Sequence, residues 1–173
     1  KDKKSQADTL VELSETAVLF HDEQKEPYAY LPMGNHFEIW PVGSKYFKRW
    51  LSRIAWDSLG KTPGSEAVRS ALNVIEGKAV FSGGEHKLHN RVAFTDSAIW
   101  YDLADPEWQA VKITVEGWRV EPNPPILFKR YGHQSSQCIP EHDGDIETVL
   151  EFVNIKKEQR LLFLVYLVSC FIP

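Results

Sequence analysis

The sequence predicts an α+β domain, and three observations predict it. Residues 44–81 carry two amphipathic helical repeats joined by a short linker. Residues 28–40 carry a β-hairpin signature. From Lys87 onward the apolar period drops from the helical value to two, over four short runs separated by turn residues. The predicted architecture is a β-hairpin, a helical hairpin and an antiparallel β-meander, with C-terminal helices.

Taken in order, residues 1–8 are polar and predict a frayed start. "DTLVELSETAVLFHD" (8–22) predicts a helix capped by Asp8 or Thr9, with Leu10, Leu13, Ala17 and Phe20 at helical spacing. "YAYLP" and "HFEIW" flank "MGN", a hairpin with Gly34-Asn35 in its turn. "SKYFKRWLSRIAWDSLG" (44–60) predicts a helix that Ser44 caps and Gly60 stops, with Phe47, Trp50, Leu51 and Ile54 on one face. "TPGSEAVRSALNVIEGKAVF" (62–81) predicts a second helix, capped by Ser65, with Val68, Ala71, Leu72, Ile75 and Ala79 as its stripe. "FSGGEH" (81–86) predicts a turn. "LHNRVAF", "AIWYDL", "AVKITV" and "WRVEP" predict the strands of the meander. "PNPPILFKRYGHQSSQCIPEHDGD" (122–145) predicts a Pro-rich strap across a surface, or a linker. Two helices follow, over "DIETVLEFVNI" and the closing apolar run. The predicted organisation is therefore an α+β domain over 1–121, the strap or linker over 122–145, and C-terminal helices over 146–173.

The closing run, Leu161 to Ile172, is about 12 residues long, whereas a membrane span needs roughly 20. It predicts a core helix. A helix apolar nearly all round needs cover on several sides, and little chain remains to supply it. We therefore expect a piece of a longer polypeptide that continues past Pro173 into a domain packing on this helix.

Composition sets outer limits on function. The 173 residues carry a net charge of −4, so global charge does not suggest a nucleic-acid binder, and such a role needs a local basic patch. Six Trp and nine Phe provide ample core material. Of the two cysteines, Cys170 lies in the apolar run and reads as a buried thiol, which argues against a disulfide with Cys138. "KDKKSQADTL" has a basic start with no apolar stretch behind it, so no signal peptide is predicted and a cytoplasmic address follows.

The helix at 44–60 is the most informative segment. At 100° per residue, Lys45, Lys48, Arg49 and Arg53 share an arc of about 140° opposite the apolar stripe, with Trp56 near its middle. Cations around an aromatic suit phosphate contacts plus base stacking. The alternative is a solvated face with Trp56 tucked against a neighbour. His86, His89, Cys138 and His142 match no zinc-site spacing. Asp102, Asp105 and Glu107 could serve a metal-dependent nuclease or polymerase, but Asp105-Pro106 also opens a turn, and Asp102 can pair with Arg91 across adjacent strands. No phosphate loop, nucleophile elbow or Cys–His arrangement of known spacing occurs. No catalytic residue and no metal ligand is assigned.

Several segments together resemble a known family. They are "AYLPMGNHFEIWPVGSKYFKRWLSRIAWDSLGKTPGSEAVRSALNVIEGKAVFSG", "NRVAFTDSAIWYDLADPEWQAVKITVEGWRV", "PPILFKRYGHQSSQ" and "LEFVNI" followed by "LLFLVYLVSCFIP". The series, from about His21 to Pro173, is similar to the region just before the P-loop ATPase in primase–helicase-like, superfamily 3-like ATPases of bacteria, phages and mobile elements. The resemblance implies a non-catalytic accessory domain upstream of a motor in a DNA-replication or mobile-element protein. Its closing helix would lead toward the ATPase domain, where ATP and Mg would bind; no cofactor is expected within these residues. The expected partners are DNA, held weakly, the protein's own ATPase domain and a second copy of the chain, with no membrane contact. Lys45, Lys48, Arg49, Arg53 and Trp56, together with Lys129 and Arg130, are the candidate nucleic-acid contacts. A structural or oligomerisation domain with no nucleic-acid contact is the alternative, and a nuclease or degenerate primase using Asp102 and Asp105 the third.

Overall fold

Ser5 starts the first helix through a reciprocal cap: its hydroxyl accepts from the Asp8 N–H at 3.1 Å, and the Asp8 carboxylate accepts from the Ser5 N–H at 3.3 Å. This computed structural model describes residues 4–95 and 97–172. The fold is α+β, as the sequence predicts. The chain divides into two compact units, Lys1–Leu88 and His89–Pro173.

In the first unit, helix α1 spans Gln6–Leu13 and ends earlier than its apolar spacing predicts. Ser14 and Thr16 hydroxyls donate back to the carbonyls of Val11 and Leu13, at 2.6 and 3.2 Å, and wind Ser14–Thr16 into one 3-10 turn. Strand β1, Val18–His21, then takes the segment predicted as the rest of the helix. Its branched and aromatic residues gain the ladder of β2, Pro27–Met33, which a helix here would forfeit. The β2 strand turns at Gly34 (φ +69°) into β3, His36–Pro41, the predicted hairpin. Two helices follow: α2, Lys45–Leu59, and α3, Ser65–Phe81. Gly64, not Ser65, occupies the α3 cap position, and the Gln6 side chain accepts from its N–H at 3.3 Å.

The predicted turn at 81–86 contains a two-residue strand, β4 (Gly84–Glu85), parallel to β1. Gly83 makes this possible. A Cβ there would sit 2.4 Å from the Ala79 carbonyl oxygen and 2.8 Å from that of Leu19. The sheet order is β3-β2-β1-β4. The core joins Ala29 and Leu31 of the sheet to Leu10 of α1, Phe47, Trp50 and Leu51 of α2, and Leu72 and Ile75 of α3.

The second unit is built on the predicted meander: β5 (Val92–Thr95), β6 (Ala98–Asp102), β7 (Ala110–Thr114) and β8 (Gly117–Glu121), paired in that order and antiparallel. Because side chains alternate, the sheet has two different faces. Ala93, Ala98, Trp100 and Ala110 form one, and the strap packs Ile126 and Phe128 against it. Tyr101, Val111, Ile113 and Trp118 lie on the other, around an open apolar cavity of about 240 Å³ that Cys138, Pro140 and Phe171 also line. The strap is thus tied to both faces of the sheet.

The predicted helix after the strap is a 3-10 segment, Ile146–Glu151, followed by a second, Lys157–Gln159, and then by α4, Arg160–Ser169. No residue of α4 is fully buried; Leu161 is 75% exposed and Leu162 72%. Cys170 is exposed, contrary to the buried thiol read from its apolar neighbours, because this helix has one lightly covered side and no core around it. Both cysteines are free thiols. Among the described residues no helix is long and apolar enough to cross a membrane.

Candidate nucleic-acid interface

Helix α2 is fixed at both ends by local chemistry. The Ser44 hydroxyl accepts from the Phe47 N–H at 3.1 Å. Gly60 adopts the left-handed conformation (φ +61°) and donates to the Trp56 carbonyl at 2.8 Å. Phe47, Trp50, Leu51 and Ala55 are buried, which commits the opposite face to solvent. There Lys45, Lys48, Arg49 and Arg53 are all exposed, and Trp56 is 57% exposed rather than tucked against a neighbour. Arg53 Nε lies 3.6 Å from the Asp57 carboxylate one turn on. Lys45, Lys48 and Arg49 form no ion pair among the described residues.

A groove of about 590 Å³ runs between α2 and the β2–β3 turn. Pro32 and Met33 line it from the hairpin, and Tyr46, Arg49, Arg53 and Ile54 from the helix. Its lining is mixed, with two guanidinium groups among apolar and aromatic side chains.

Glu38 sets the relation of helix to hairpin, and the sequence reading missed it. The strand alternation puts Glu38 beside Leu31 on the helix-covered face of the sheet, where it is buried. Its carboxylate accepts from Trp40 Nε1 at 2.6 Å, lies 3.2 Å from His36 Nε2 and bonds the Tyr46 hydroxyl in the first turn of α2. The Trp40 and Tyr46 rings stack at 4.1 Å. Burial, then the hydrogen bond and charge of Glu38, push the Tyr46 phenol up to about 12, with nearby Arg53 acting the other way. Burial also raises the Tyr30 phenol. The available signal was His36-Phe37-Glu38-Ile39-Trp40 itself: a period-two strand that places an acid between two N–H donors on one face.

Lys129 and Arg130 belong to the second unit. The Lys129 ammonium stands 5.5 Å from the Tyr131 ring centroid, and its backbone N–H donates to the His89 carbonyl at 2.7 Å. Arg130 is nearly buried and fully engaged. Its Nη2 and Nε donate to the two Asp102 oxygens at 2.6 and 3.1 Å, Nη2 lies 3.6 Å from Asp105, and Nη1 donates to the Asp105 carbonyl. The guanidinium carbon sits 4.0 Å from the Trp108 ring centroid. This clamp locks the strap to the β6–β7 turn.

Comparison with protein-family models, with curated proteins and with solved structures returns no match for this chain.

Asp102 is 1% exposed and takes its charge partner from the strap, not from Arg91 as the strand order suggests; Arg91 Nη1 donates instead to the Asp102 carbonyl at 3.0 Å. Asp105 Oδ1 closes the turn by accepting from the Gln109 N–H at 2.8 Å. Both carboxylates are thus structural acceptors, which leaves little of their capacity for a reaction. The four residues weighed for zinc have separate surroundings. His86 meets Phe20 edge-on at 5.4 Å, His89 bridges to the strap backbone, Cys138 borders the apolar cavity and His142 stacks on Trp118 at 4.2 Å.

Proposed function

We propose that the first unit holds single-stranded DNA through the exposed face of α2, as a non-catalytic accessory part of a cytoplasmic primase–helicase-like ATPase. The observation that carries this reading is a cluster of cations, Lys45, Lys48 and Arg49, with no ion pair among the described residues, around an exposed Trp56, in a chain whose net charge is −4. Cations neutralise successive phosphates, and an exposed indole stacks on a base of any sequence. The groove beside Arg49 and Arg53 offers a second base Met33, Trp50 and Ile54 to rest on. In this reading ATP and Mg²⁺ belong to a separate motor domain, and these residues position the strand.

The test is fluorescence anisotropy with labelled oligothymidylate at several salt concentrations. Three phosphate contacts give a log–log slope of roughly −2 and four give roughly −3, at about −0.7 per contact. Lys48→Glu with Arg49→Glu should abolish binding, with circular dichroism confirming the fold. Undiminished binding by the double variant would exclude this face.

Helix α4 favours a second reading, a packing or oligomerisation domain. Leu161, Leu162, Val165 and Val168 are more than half exposed. Burying such a side chain is worth about 1.5–3 kcal/mol, so the helix has several kcal/mol available for association. Sedimentation of the wild type against Leu161→Lys with Leu162→Lys decides it. A concentration-dependent oligomer that the variant dissolves supports this reading, and a wild-type monomer at every concentration removes it.

A further inference from the structure

Arg49 and Arg53 stand four residues apart on α2, so their side chains share one side of the helix, a turn apart. Both line the groove of about 590 Å³ between α2 and the β2–β3 turn. They differ in freedom. Arg53 Nε lies 3.6 Å from the Asp57 carboxylate, and its charge reaches the Tyr46 phenol on the groove's wall. Arg49 is exposed and has no ion pair among the described residues. Tyr46 is itself fixed: its hydroxyl is bonded to Glu38, and its ring stacks on Trp40 at 4.1 Å. Among the described residues no carboxylate lines the groove. It offers charged N–H donors and no ionised acceptor, with Met33 and Ile54 as apolar surface beside them. What fits it is a flat ring with two acceptors on one edge.

A guanidinium presents a fork of parallel N–H donors. Guanine matches that fork, because N7 and O6 lie side by side on one edge. Adenine sets an amino group beside its N7, and the two carbonyls of thymine flank a ring N–H, so each would turn a donor toward a donor. Cytosine has an adjacent acceptor pair, N3 and O2, but only one ring to lay on the apolar surface. We propose that Arg49 reads guanine in the strand that α2 holds, its guanidinium donating to O6 and N7 while the purine rests on Met33 and Ile54. Arg53, held toward Asp57, gives its charge to the neighbouring phosphate. This inference rests on the single-stranded DNA reading of α2 and adds base selection to it.

Fluorescence anisotropy tests it by comparing labelled oligothymidylate with the same strand carrying one central guanine, at fixed salt. The guanine should tighten binding by roughly tenfold, the factor that corresponds to about 1.4 kcal/mol and lies within the discrimination of a bidentate arginine–guanine pair. A central cytosine should gain less and adenine nothing. Hypoxanthine, which keeps O6 and N7, should retain the gain, and 7-deazaguanine, in which a C–H replaces N7, should lose most of it. Arg49→Lys keeps the charge and loses the fork. It should leave the salt slope on oligothymidylate unchanged and abolish the guanine gain. Equal binding of the thymine and guanine strands, 7-deazaguanine bound as tightly as guanine, or a gain that survives Arg49→Lys would overturn this inference and leave the α2 reading standing. Failure of every strand to bind would remove both.

Discussion

Replacing Arg130 with Ala should loosen the second unit and leave untouched the DNA binding proposed for α2. Asp102 is buried, and Arg130 supplies both of its charged hydrogen bonds, at 2.6 and 3.1 Å. Truncation leaves a carboxylate with no cation and exposes the Trp108 face that the guanidinium covers at 4.0 Å. Removing one partner of a buried, hydrogen-bonded ion pair costs about 3–5 kcal/mol. Native-state amide exchange reads that loss where it occurs. Exchange at β6 and β7 should accelerate by roughly two to three and a half powers of ten, at about 1.4 kcal/mol per tenfold. Strands β2 and β3 of the first unit serve as an internal reference and should hold their rates. The double change Asp102→Leu with Arg130→Met should recover part of the loss, because an apolar pair of similar volume often matches a buried ion pair. Less than a tenfold change at β6 and β7 would refute the clamp. Loss of oligothymidylate binding at unchanged exchange would return Arg130 to the interface.

Three further outcomes follow from the same contacts. Glu38→Ala removes the carboxylate that accepts from the Trp40 indole and the Tyr46 hydroxyl and should cost about 3 kcal/mol, at 1–3 kcal/mol for each donor that loses its acceptor, read as a lower urea midpoint; Glu38→Gln should fall between it and wild type. Because the folded state holds the Tyr46 phenol protonated up to about 12, its contribution is full below the ordinary tyrosine value near 10 and is lost as pH rises through 12. Tyr46→Phe should flatten that alkaline decline in thermal unfolding, and an unchanged decline would separate Tyr46 from it. Gly83→Ala forces a Cβ to within 2.4 and 2.8 Å of two backbone carbonyls that cannot swing away, and should cost about 3 kcal/mol in a calorimetric scan.

What the sequence revealed was what is decided within a few residues. Helix α2 carries its cap, its stop and its apolar stripe in one stretch, and all three stand where the pattern puts them. The meander is equally local, with turn residues separating its short runs. Several misreadings share one cause, which is pairing at a distance. Leu10 and Leu13 begin a true helix, but Val18–His21 belongs to a strand because β2 waits to receive it. Gly84–Glu85 reads as a turn until β1 is beside it. Arg130 reads as a surface cation in a Pro-rich loop, and only the fold brings it to a buried aspartate 28 residues earlier. Glu38 was visible in the alternation, but its significance needed Tyr46 from the next helix.

The same distinction governs which charges bear on function. A count gives 20 Lys and Arg against 24 Asp and Glu, a balance that argues against an anionic partner. Counting treats every cation as available. The structure assigns Arg130 to Asp102, Arg119 to Glu121, Arg69 to Glu66 and Lys78 to Glu15. A cation paired in this way must leave its carboxylate to meet a phosphate, and the exchange gains little. Lys45, Lys48 and Arg49 face no such exchange among the described residues. The acidity of the whole chain therefore does not weaken a reading based on one face of α2. At physiological ionic strength the field of distant carboxylates is screened within about 8 Å, so a bound strand would feel mainly Lys45, Lys48 and Arg49, which have no ion pair among the described residues, Arg53 shared with Asp57, and the Trp56 ring among them.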